Sequence, residues 1–148
     1  MTERSDRNWT EILQELRVIQ TGTQILTGFL LTLAFQSRFT ELDHYQVVLY
    51  LALVGAAVLA TALALAPVSL HRALFARKVK PQLVTASDRL LKVTLVVVSL
   101  TLVGTAMLIF DVVVGRAAGI TAGVLTAVVA ATLWMVLPAF ARKYLSHD

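Results

Sequence analysis

The stretch Tyr45–Leu70, YQVVLYLALVGAAVLATALALAPVSL, runs for 26 residues without an Asp, Glu, Lys or Arg. About 20 predominantly apolar residues carry a helix across the roughly 30 Å hydrocarbon core of a bilayer. This run alone removes the chain from the ordinary soluble class. Working outward, three more windows are uncharged: Val18–Ser37 with 20 residues, Val93–Phe110 with 18 and Ala117–Ala141 with 25. They explain why only 15% of the 148 residues are charged while 57% are hydrophobic, against about 25% charged in a typical soluble domain. The pattern predicts an all-α protein, an integral membrane four-helix bundle forming a single membrane domain over residues 1–148. Its spans fall at about 18–37, 45–68, 92–111 and 116–138, and a short amphipathic N-terminal helix precedes them.

The position of the charge matters more than its sum. Eleven of the 13 Lys and Arg lie before the first window, between His71 and Lys92, or after the last window. Only Arg38 and Arg116 occupy the other two connections. Basic residues in short loops stay on the cytoplasmic side, so the reading is a multi-pass protein of the cell (inner) membrane with both termini cytoplasmic. The pI near 9.9 therefore reflects topology, and no nucleic-acid partner is expected. The basic loop 71–92 carries Arg72, Arg77, Lys78, Lys80 and Arg89. These residues set orientation, and they also form a candidate surface for anionic phospholipids, worth about 1 kcal/mol per basic residue, or for an unidentified protein partner. The first 17 residues contain four acids and no apolar run, so no cleavable signal is read there.

Within this frame, Trp9, Ile12, Leu13 and Leu16 share one face of a helix over about 8–17, either interfacial or protein-docking. Span 1 continues that face with Gln20, Thr23, Gln24 and Thr27. Polar groups in hydrocarbon need partners, so this stripe is read as interhelical glue or as the lining of a polar path. Span 2 places Ala52, Ala56, Ala60 and Ala64 at i+4 spacing and ends near Pro67. Pro81 splits the loop, and Thr85–Asp88 fits a loose capping box opening span 3. Span 4 repeats Gly115, Gly119, Gly123, Ala127 and Ala131 every four residues. Such small-residue ridges let helix backbones approach, within one bundle or between copies, which makes a homo-oligomer the expected state.

Catalytic chemistry finds no footing. There is no cysteine, and His44, His71 and His147 are too far apart to read as a metal site. No nucleophile elbow, P-loop or dinucleotide fingerprint occurs. No cofactor, metal or enzymatic activity is expected. Ionisable residues at membrane depth are usually functional, and here only Glu15 and Asp111 approach it. Either is a candidate ion-linked residue, with Arg17 and Arg116 as their respective ion-pair partners.

The run Glu15–Phe35, ELRVIQTGTQILTGFLLTLAF, and the run Ala66–Phe75, APVSLHRALF, resemble a family of small actinobacterial membrane proteins grouped as domain of unknown function 6328. The likeness extends from about Trp9 to Lys143. It implies four spans and no established activity, and some members carry a sodium:proton antiporter label. It also implies that Gln20, Gln24, His71 and Arg72 belong to the family's pattern, without giving them a role. The expected function is thus a non-enzymatic, self-associating structural or scaffold membrane protein. The alternative is a small channel or proton- or sodium-coupled transporter with its path along span 1.

Overall fold

A computed structural model describes the backbone of residues 2–74 and 80–140 and the side chains of 14–66, 69 and 89–140. Four long helices follow one another: α1 (Thr2–Leu33), α2 (His44–Leu74), α3 (Lys80–Val113) and α4 (Arg116–Ala131). A short 3-10 turn, Ser37–Glu41, precedes α2, and a π-helical turn, Thr132–Val136, prolongs α4. There is no strand among the described residues.

The amphipathic segment and the first uncharged window form one uninterrupted helix, α1, 32 residues long. The change of composition at Arg17 leaves the helix unbroken. No proline lies in α1 and no glycine precedes Gly22, so nothing in the backbone breaks the hydrogen-bond ladder there. Likewise α2 passes through Pro67 to Leu74, although the missing N–H removes one rung. The start of α3 corrects the capping-box reading. The helix begins at Lys80 with Pro81 in its first turn, where a backbone donor has no helical acceptor anyway. Thr85–Asp88 therefore lies inside the helix. Near the end of α4 the Leu137 N–H reaches back to the Thr132 carbonyl, a π-type bond that accommodates Pro138 just beyond it.

Three helices are long and apolar enough to cross a membrane, over His44–Ala66, Arg89–Val113 and Arg116–Phe140. α1 falls short of that standard because two Gln and four Thr interrupt its apolar run between Gln20 and Thr32.

The chain divides into two compact units. The first takes the chain up to Glu41 together with Leu51–Val98. Its core is Leu16, Thr23 and Leu30 of α1, Leu53, Ala57, Ala60 and Ala64 of α2, and Leu91 and Thr94 of α3. The second takes Leu42–Tyr50 and the chain from Ser99 onward. Its buried residues are Tyr50, Thr101, Thr105, Leu108, Asp111, Gly119 and Gly123. Within each helix these positions recur every three, four or seven residues, the spacing that keeps one seam against a neighbouring helix in left-handed packing. Small and hydroxyl-bearing residues dominate the seams, as membrane helix packing favours.

Candidate functional site

The second unit gathers polar side chains where α2 begins and where α3 turns into α4. The sequence explains each part. Asp43 precedes α2, and its Oδ1 accepts the Gln46 N–H at 2.8 Å. Gln46 Oε1 in return accepts the Asp43 N–H at 3.0 Å. This reciprocal pair satisfies two donors that the helix start leaves open. The turn between α3 and α4 is only Val114 and Gly115. Gly115 adopts φ 130°, in the range that side chains rarely enter, and its N–H closes α3 by bonding to the Phe110 carbonyl at 3.2 Å. A turn this tight fixes Asp111 and Arg116 on neighbouring helix ends.

Arg116 then joins three partners. One guanidinium nitrogen donates to Asp43 Oδ2 at 2.6 Å, and the other lies 3.1 Å from Asp111 Oδ2. The guanidinium also stands over the Tyr45 ring, 3.8 Å from its centroid, within cation–π range. Gln46 Nε2 donates to Asp111 Oδ1 at 3.1 Å, and Tyr45 Oη makes a weak bond to Met107 Sδ at 3.8 Å. Asp43 and Arg116 are about half exposed, whereas the Asp111 side chain is 3% exposed. Its Oδ2 sits at ion-pair distance from Arg116 but lacks a hydrogen bond.

Both charges stand against the local helix dipoles. Asp111 lies in the last turn of α3 and Arg116 is the first residue of α4, arrangements that cost about 0.3–1 kcal/mol each. Their mutual attraction, strengthened where water is excluded, offsets that cost. The glycines of α4 complete the fit. A Cβ on Gly119 would meet Asp111 Cβ and the Met107 carbonyl oxygen at 2.7 Å, and one on Gly123 would meet Met107 Cβ at 3.3 Å. α4 can approach α3 this closely only because those positions have no side chain.

The other sequence-derived residues scatter. Thr23 is buried, Gln20 and Thr27 are half-buried, and Gln24 is exposed. The Thr23 hydroxyl donates to the Gln20 carbonyl at 2.9 Å and that of Thr27 to the Thr23 carbonyl at 2.7 Å. The stripe thus spends these hydroxyls on its own helix. In the alanine series Ala60 and Ala64 are buried, Ala56 is half-buried and Ala52 is exposed. Gly115 is half-buried, and Ala127 and Ala131 are exposed. Glu15 and Arg89 are exposed, and the side chains of Arg72, Arg77, Lys78 and Lys80 lie outside the described residues. Asp43, Tyr45 and Gln46 were not singled out by sequence reasoning. The Asp43-x-x-Gln46 spacing before an apolar run was the signal that marks them. No group of three or more His, Cys, Asp or Glu suited to a metal ion occurs among the described residues.

No curated protein and no solved structure matches the chain. The family model DUF6328, described as a family of unknown function, matches residues 1–138. By that match over nearly its whole length, the chain, with its apolar helices, belongs to the DUF6328 family.

Proposed function

We propose that this chain is a non-enzymatic, self-associating structural membrane protein. It sits in the cell membrane with α1 as a fourth span, both termini cytoplasmic and the basic segment 71–92 against anionic phospholipid or a cytoplasmic partner. One observation carries the reading: the threonine hydroxyls of the apolar helices are consumed in structural bonds. Hydroxyls of Thr23, Thr27, Thr61, Thr94, Thr105 and Thr126 each donate to a carbonyl about one turn back. At the outer end, Arg116, Asp43, Tyr45, Gln46 and Asp111 engage one another. A chain built this way has fixed helix contacts and little polarity left for moving solutes.

A second reading, a small channel or a proton- or sodium-coupled carrier, is favoured by Asp111 alone. A buried carboxylate oxygen without a hydrogen bond is the kind of group that intramembrane ion pathways use. Reconstitution into liposomes separates the two. The structural reading predicts proton and sodium flux equal to that of empty vesicles. Flux above that background, abolished by Asp111→Asn, establishes the carrier instead.

A further inference from the structure

We infer that a second copy of this chain docks on the outward face of α1, along the line Arg17, Thr21, Gln24, Gly28 and Leu31. The inference rests on the reading of a membrane-embedded, self-associating protein and names its interface. The spacing along this line alternates four and three residues, the 3.5-residue period that holds one line of a helix against a neighbour. α1 already buries one such line, Leu16, Thr23 and Leu30, inside its own unit. The second line lies about 100° further round the helix, and all five of its residues are exposed.

Hydrogen-bond complementarity identifies the occupant. The Gln24 amide is exposed in the middle of an uncharged stretch and makes no hydrogen bond among the described residues. Hydrocarbon offers an amide neither donor nor acceptor, and such a group left alone is costly. A primary amide carries both, so the same Gln24 across a two-fold axis completes it. A single polar position in an otherwise packed line also sets register. The neighbouring Thr21 hydroxyl needs no partner from outside, because it already donates to the Arg17 carbonyl at 2.9 Å.

Shape agrees. A Cβ on Gly28 has nothing within 4 Å, so a second backbone can approach there, one turn from Gln24. Gly119 and Gly123 are instead filled by α3 of the same chain, which removes the most apparent glycine ridge from the list of surfaces between copies. α1 is also the long helix whose apolar run falls short of a lipid-facing span, as suits a helix covered by protein on two sides.

Native cysteines are absent, so single-cysteine scanning of the full chain in native membranes tests the inference directly. Under mild oxidation, Thr21→Cys, Gln24→Cys and Gly28→Cys should form disulfide-linked dimers. Gly22→Cys and Phe29→Cys, on another face of α1, should not. Separately, the mass of the cysteine-free chain in lipid nanodiscs is read by light scattering, and Gln24→Leu should weaken the dimer about tenfold. Dimer mass with cross-links at 21, 24 and 28 supports the interface. Dimer mass with cross-links only at 22 and 29, or at none of the five, overturns it while leaving self-association standing. A monomer mass at every lipid-to-protein ratio overturns both.

Discussion

The threonines of α1 and the polar cluster where α2 begins and α3 turns into α4 use their side chains in opposite ways. In α1, Thr23 and Thr27 return their hydroxyls to their own helix, so their polarity is settled within a turn of chain. Where α2 begins and α3 turns into α4, Gln46 reaches Asp111 across 65 residues and Arg116 reaches Asp43 across 73. The difference lies in side-chain length and charge. A threonine hydroxyl sits beside the carbonyl one turn back and bonds there almost by default. A guanidinium, a carboxylate or a long amide extends past its own backbone and must find a partner on another element. A run of threonines is therefore a poor sign of a site in this fold, and long polar side chains are a better one.

Substitutions can break or sharpen that contrast. The largest effect is expected for Asp111→Ala, which strands Gln46 and removes the buried half of the Arg116 pairing. The cost should be about 3 kcal/mol, read as a fall in thermal midpoint in detergent. Gly119→Ala follows at about 2 kcal/mol, because its Cβ meets backbone and Cβ atoms that cannot swing aside. Gly22→Ala, with nothing within 4 Å, should leave the midpoint unchanged or slightly raised. Asp43→Ala removes the α2 cap and one arm of Arg116 and should cost about 1 kcal/mol. Thr27→Val should likewise have a small effect, changing stability by less than about 0.5 kcal/mol. A Thr27→Val cost equal to that of Asp111→Ala would erase the distinction between the two regions.

Much of this architecture is legible in residue order. The uncharged windows place α2, α3 and α4, since composition over 20 or so residues reports the surrounding medium directly. The glycine spacing of α4 and the nearness of Asp111 to Arg116 locate the tight α3–α4 turn. Two features escape such reading. The continuity of α1 through Arg17 escapes because a step in hydropathy is not a break in backbone. The Asp43 and Gln46 contributions escape because pairings across 65 and 73 residues depend on how helices pack, which no local pattern encodes. The capping pair at Asp43 and Gln46 was the available clue. It marks a helix start without revealing that the same two side chains also bind another helix end.

The most direct test is a pair of double-mutant cycles on unfolding free energy in one detergent. One combines Gln46→Leu with Asp111→Leu, and the other combines Thr23→Val with Thr27→Val. The account predicts a coupling of about 1 kcal/mol for the Gln46–Asp111 pair and less than about 0.3 kcal/mol for the α1 pair. Equal couplings, or a larger one in α1, would contradict it.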